Sequence, residues 1–272
     1  MKPPINVLSV DWDYFFPALD GFDWGHSETN PLFAQIIWAT RPGSQDLFTK
    51  ERAIDVVHPH VYVYEFWLKT IINNHKPSPR LCIAESHKDI MAWLKELRVR
   101  KANVTNFDAH HDMGYKGYGF DTKVRPPVDC GNWARVGIDS GAIGSYRLVY
   151  PSWRKRKSEG GEGTRQDPPF TVKYGDPVTV QYEPPLAQAY DLIFICRSSS
   201  WTPSWSDDKW LEFINWWQSD DVSWAFKCYV PFVLKARAPD TIEARKLADE
   251  WDKLMESFQK KQKARIMEAA KV

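Results

Sequence analysis

The stretch ANVTNFDAHHDMG, residues 102–114, opens as a short apolar run with β-branched residues and closes in charge. A segment of this length and composition reads as a buried strand. Its carboxyl end carries Asp108, His110 and Asp112 at alternate positions, and such groups are costly to bury unless something pairs with them. Three other segments have the same character: INVLSV (5–10), RLCIAE (80–85) and DLIFIC (191–196). Helical patterns, with apolar residues three and four apart, cover VYVYEFWLKTIINN (61–74) and HKDIMAWLKELRVRK (87–101). SDDKWLEFINWW (206–217) adds a helix with Ser206 as its N-cap and acidic residues in its first turn. Strands alternating with helices predict an α/β fold: a three-layer, doubly wound, mainly parallel sheet with helices on both faces.

At 272 residues the chain reads as one α/β domain over 1–238, followed by a C-terminal helix over 239–272. RKRKSEGGEGTRQDPP (154–169) has no apolar period and reads as a mobile surface loop. A hydrophobic share of 43% with 14 tryptophans is enough for a large core and argues against disorder. Lys+Arg (36) and Asp+Glu (35) nearly cancel, so neither nucleic acid nor an anionic membrane is the expected partner. The four cysteines form no C-x-x-C pair, which argues against a zinc ribbon and fits a reducing cytoplasm. No apolar run approaches about 18 residues, and the opening MKPPINVLSVDWD meets acid early, so the expectation is a cytoplasmic, unexported protein.

Set against the expected strands, the charged residues gather at one edge. Asp11 and Asp13 follow the first strand, His87 the second, and Asp108, His110 and Asp112 the third. In open α/β sheets this carboxyl edge is where sites form. Alternate residues of an extended segment point the same way, so each spacing can aim its ligands at one point. Four aspartates there would repel one another without a cation, and two divalent metals remove the conflict. Mixed carboxylate and imidazole ligands suit manganese, with iron, cobalt or zinc as alternatives. The lack of nearby thiolates removes the strongest reason to prefer zinc.

DAHHD (108–112) resembles the D-A-H-x-D signature of the arginase, or ureohydrolase, family, and SVDWD (9–13) resembles its S-x-D-x-D signature. In the ordinary enzymes the lone histidine comes first and D-x-D last. Here D-x-D leads, as a circular permutation would produce, and the 21-residue interval from His87 to Asp108 is similar to the family's. The permuted order, together with DCGNW (129–133) and CRSSSWTPSW (196–205), is similar to the peptide arginases, which convert arginine to ornithine in ribosomally made peptides. The resemblance runs over about residues 5–215 and implies an arginase/deacetylase-like fold.

It also implies two manganese ions held by Asp11, Asp13, His87, Asp108, His110 and Asp112, with Asp112 accepting a hydrogen bond from the nucleophile. The leaving amine needs a proton, for which His58, His60 and His111 are candidates, His111 having packing or ligand orientation as its other reading. Glu65 is the candidate guanidinium carboxylate, or else faces solvent. Asn132 either meets substrate or steadies its loop, and Arg197, Ser198 and Trp201 are further substrate candidates. The expected substrate is an arginine-containing peptide or a small guanidino compound, with oligomeric state open. A zinc-dependent deacetylase or amide hydrolase, and a non-catalytic aromatic-rich binding module, are the other readings.

Overall fold

The computed structural model describes residues 3–16, 59, 66, 75–114, 127–151, 175–182, 189–215, 225–228 and 253. Their strands are β1 (Asn6–Asp11), β2 (His75–Ala84), β3 (Ala102–Phe107), β4 (Ile143–Val149), β5 (Val178–Gln181), β6 (Tyr190–Cys196) and β7 (Ala225–Cys228). All join one parallel sheet in the order β5-β4-β3-β1-β6-β2-β7. The described helices are α1 (Asp89–Glu96), α2 (Trp133–Asp139) and α3 (Asp207–Asn215), with short 3-10 turns at Trp12–Phe15 and Ser204–Ser206.

Side-chain parity along the strands sorts the core into two faces. Leu8, Val10, Leu81, Ile83, Phe107, Ile193 and Ile195 pack with Trp210, Phe213 and Ile214 of α3. Val7, Cys82, Ala84, Val104, Tyr146, Leu192 and Phe194 pack with Ile90, Trp93 and Leu94 of α1 and with Trp133 of α2. The sheet is therefore the middle of three layers, which is why β6 and the second half of β2 read as nearly continuous apolar runs. The described connections share one hand, as the crossover rule requires. The passages from β2 to β3 and from β3 to β4 move one way across the sheet and carry α1 and α2 on one face. The passage from β6 to β7 moves the other way and carries α3 on the opposite face. This reversal brings the carboxyl ends of β3, β1, β6 and β2 side by side.

The four apolar segments of the sequence are β1, β3, β6 and the second half of β2. The first half of β2 extends back to His75, and its register with β6 slips between His75 and Arg80, across Pro77 and Pro79, which cannot donate to the ladder. β4, β5 and β7 were not expected. β4 interleaves Gly, Ser and Arg with its apolar residues, while β5 and β7 have only four residues each. Ser206 is not a side-chain cap. It ends the 3-10 turn and donates its hydroxyl back to the Pro203 carbonyl at 2.7 Å. Asp207 and Asp208 do occupy the first turn of α3.

Of 61–74 only Phe66 is described, as helical and buried against Phe15 and Phe107. The 154–169 loop and, apart from Lys253, the 239–272 helix lie outside the described residues. Among the described residues no helix is long and apolar enough to cross a membrane.

Trp210 is fully buried and meets Trp12 edge-on, with ring centroids 5.5 Å apart. Trp210→Ala is expected to lower unfolding stability by about 3–5 kcal/mol, as for other large-to-small core changes, read by urea denaturation. A loss under about 1 kcal/mol would mean that this face is loosely packed.

Candidate metal centre

Six ionisable side chains meet at the reversal. Asp11 is the last residue of β1 and Asp13 sits in the 3-10 turn that follows. His87 lies between β2 and α1, and Asp108, His110 and Asp112 follow β3. All six are at least 90% buried.

Turns, rather than the strand pleat, aim these ligands. Asp11 caps the 3-10 turn by accepting the Asp13 backbone N–H on Oδ1 at 3.0 Å. Asp13 Oδ1 in turn accepts the Ala109 N–H at 3.3 Å, tying the two segments together. Strand pairing of β3 stops at Phe107, and the next residues curl: His110 N–H donates to Asp108 Oδ1 at 2.7 Å and Met113 N–H to His111 Nδ1 at 3.0 Å. Asp112 has a φ of 51°, a left-handed conformation that an aspartate tolerates better than most residues. Two backbone bonds hold it there, Ala134 N–H to the Asp112 carbonyl at 3.1 Å and Gly114 N–H to the Gly131 carbonyl at 2.8 Å.

The ligand atoms form overlapping groups. His87 Nδ1 lies 3.1 Å from Asp11 Oδ2, 3.1 Å from Asp108 Oδ2 and 3.2 Å from Asp112 Oδ2. A single N–H cannot satisfy three oxygens, whereas one cation among them could. His110 Nδ1 lies 2.8 Å from Asp13 Oδ2 and 3.7 Å from Asp108 Oδ1. Asp13 Oδ2 is thus a buried oxygen whose recorded charged neighbour is the His110 ring. Both groups can hold a metal ion, and Asp108 belongs to both. A third group joins Asp11 and His87 to Cys196, with the ligand atoms within 4.8 Å of one another. The expectation that no thiol lies beside the centre is thus corrected. The cysteine is distant in sequence but pairs with Asp11 across the β1–β6 ladder.

Electrostatics follows from this crowding. Burial, then the charges of Asp11 and Asp108, pushes Asp13 well above the ordinary carboxyl range, although His110 opposes it. Burial and then Asp108 push Asp112 up in the same way. Burial would raise Asp108 too, but its hydrogen bonds and charge interactions with His110 and His87 outweigh that and lower it. Burial would lower His87, but Cys196 and hydrogen bonds with Asp108, Asp11 and Asp112 raise it. Burial, followed by Asp11, also raises Cys196.

A layer of neutral groups orients the ligands. Ser9 Oγ meets His87 Nε2 at 2.7 Å, so a proton on Nε2 can be held there while Nδ1 faces the carboxylates. Asn106 Nδ2 donates to Asp108 Oδ2 at 3.0 Å and to Tyr146 at 2.9 Å. The Trp133 indole N–H donates to Asp112 Oδ2. Sequence reading singled out none of Ser9, Asn106, Tyr146, Trp133 or Cys196 as a site residue. Alternation onto one face of the sheet hints at Ser9, Asn106, Tyr146 and Cys196, whereas Trp133, at the start of α2, carries no such signal.

The substrate candidates divide. Ser198, with φ 49°, donates its hydroxyl to Asp11 Oδ2 at 2.6 Å and so serves the ligands. The buried Arg197 binds Glu85 Oε2 through Nε and Nη2 at 3.0 and 2.8 Å and approaches Asp207 at 3.4 Å, bracing the sheet edge against α3. Asn132 steadies its own loop, accepting from Asp129 N–H and donating to the Pro127 carbonyl, both at 2.9 Å. The half-buried Trp201 lies 4.1 Å, centroid to centroid, from His110. His111 is buried and accepts from its own loop. His58, His60 and Glu65 lie outside the described residues.

Compared with protein-family models, curated proteins and solved structures, the chain matches none of them.

The shifted groups set a pH dependence. Asp13, Asp112 and His87 hold protons more tightly folded than unfolded. Their stabilisation is present below their unfolded pKa values and is lost as pH rises through the raised folded ones. Asp108 acts oppositely, but its contribution falls away only at acid pH, below its unfolded value. The Tm of EDTA-treated protein should therefore fall as pH rises from about 5 to about 8, and saturating divalent ion should flatten the trend. A Tm that rises across that window without metal would contradict the assignment.

Proposed function

We propose that the chain is a hydrolase that holds two divalent ions, manganese by preference, and converts arginine in a peptide or protein to ornithine with release of urea. The observation that carries the reading is the division of Asp108 between two groups, Oδ2 toward His87 and Oδ1 toward His110. A carboxylate shared in this way is what a closely spaced ion pair requires. Charge supports the number, since two divalent ions would balance the four carboxylates. The donor set supports the metal, because carboxylates with imidazoles suit manganese. The order D-x-D, His87, DAHHD supports a permuted arginase-like enzyme.

When bound, the ions would supply a water acidified toward neutral pH and a Lewis acid to hold it. The chain's residues do the rest. Asp112, buried beside Asp108 and His87, accepts a hydrogen bond from the attacking water. Trp201, beside His110, offers an aromatic face to a planar cation. In the balanced reaction, water adds to the guanidinium carbon and the bond from that carbon to the chain nitrogen breaks. The nitrogen leaves as an ammonium, and the carbon leaves as urea. His58 and His60 remain the shuttle candidates and Glu65 the candidate guanidinium carboxylate; the buried ring of His111 suits orientation of its loop better.

Cys196 favours a second reading, a single zinc held with Asp11 and His87 in a deacetylase or amide hydrolase. Metal content after manganese-supplemented expression separates the two. Near two equivalents of manganese, with urea released from arginine peptides and both reduced more than about 100-fold in Asp108→Ala, Asp112→Ala, is the expected outcome. One equivalent of zinc with amide cleavage would favour the second reading. Binding of no ion would end both and leave a binding module.

A further inference from the structure

Trp133 touches the centre in two ways at once. Its indole N–H donates to Asp112 Oδ2, the same oxygen that lies 3.2 Å from His87 Nδ1. Its ring packs on the His87 imidazole, with centroids 4.7 Å apart and planes 33° from parallel. On the other side Tyr146 meets it edge-on at 5.7 Å, and Tyr146 is anchored by its hydroxyl to the His111 carbonyl and to Asn106. Phe194 stacks on His87 at 5.8 Å, so the imidazole has aromatic neighbours in both Trp133 and Phe194. Trp133 itself cannot swing away. It is fully buried, it begins α2, and the backbone bonds from Ala134 to Asp112 and from Gly114 to Gly131 lock the two loops together.

The other group has no such grip from Trp133. Asp13 and His110 are the ligands in it that Asp108 joins, and His110, the most exposed of the six at 8%, packs against the half-buried Trp201 instead. From this asymmetry we propose that Trp133 is a positioning residue for one half of the centre: it fixes Asp112 and His87 and sets the affinity of the ion bound by His87, Asp108 and Asp112, while leaving the ion at Asp13, Asp108 and His110 to its own ligands. The physical reason is that a carboxylate with φ 51° and a buried oxygen gains direction from a donor it cannot rotate away from. The inference rests on the proposed two-ion reading, and concerns metal binding independently of the substrate.

Trp133→Phe keeps an aromatic ring and removes the donor. Trp93→Phe is the control, since Trp93 is buried in the same face of the core and its recorded ring neighbour is Phe194. Manganese binding to the full chain would be followed by calorimetric titration and by EPR, with Tm beside it. The expected result is that one of two binding steps weakens about 10–100-fold in Trp133→Phe, while the other step stays within about threefold of wild type. Trp93→Phe should lower Tm and leave both steps intact. Two steps in Trp133→Phe equal to wild type would overturn the inference and leave the two-ion reading standing. Equal weakening of both steps would overturn it too, as would failure of Trp133→Phe to fold where Trp93→Phe folds, because packing would then be the role of the indole. A wild-type chain that binds no manganese would instead end the two-ion reading itself.

Discussion

Four carboxylates share one buried junction, and most of the described architecture at the carboxyl edge answers to that constraint. Isolated, each would cost several kcal/mol to bury as an anion, and together they repel. Two imidazoles meet them, while the arginine at the same edge, Arg197, is engaged by Glu85 and Asp207. The neighbours that orient the ligands are neutral: Ser9, Asn106, Ser198 and Trp133 each make a hydrogen bond to a member of the cluster. Neutral donors set direction without cancelling charge, which keeps the junction receptive to a cation.

The sheet makes such a junction affordable by supplying rigid walls. β1 lies between β3 and β6, so its last residue, Asp11, faces groups from both neighbours. The two faces are built with unusually large side chains, Trp12 and Trp210 on one and Trp93 and Trp133 on the other. Among the described residues these four tryptophans are fully or almost fully buried in the core. Trp133 shows how a core residue also becomes part of the centre, its ring in the apolar layer and its N–H on a ligand.

Of the four described non-glycine residues with positive φ, Arg98 and Lys101 lie between α1 and β3, and the other two lie at the centre. Asp112 and Ser198 both adopt left-handed backbone, and each connects directly to the cluster. Such conformations persist only where surrounding bonds hold them, as Ala134 and Gly114 do around Asp112, and as the bond from Ser198 N–H to the Glu85 carbonyl does. Removing the extended geometry from the ligand loops leaves the pattern D-x-H-x-D convergent for a different reason: the side chains meet because the chain curls, with Asp108 and His111 each binding a backbone N–H two residues on.

The amino-acid sequence by itself determined the three-layer α/β class, the strands that become β1, β3, β6 and the end of β2, and the clustering of Asp11, Asp13, His87, Asp108, His110 and Asp112 at one edge. Burial on both faces favours apolar runs, and strands alternating with helices along the chain imply a parallel sheet in which the residues after every strand fall on one side. β5 and β7 escaped because four residues make no pattern, and β4 because its polar residues interrupt one. Only the tertiary structure decided what touches the ligands. Cys196 reaches Asp11 through the register of β1 on β6, and Trp133 reaches Asp112 through the docking of one loop on another. Neither contact leaves a local trace, because strand register and loop docking are settled by packing across the whole sheet rather than by the residues nearby in the chain.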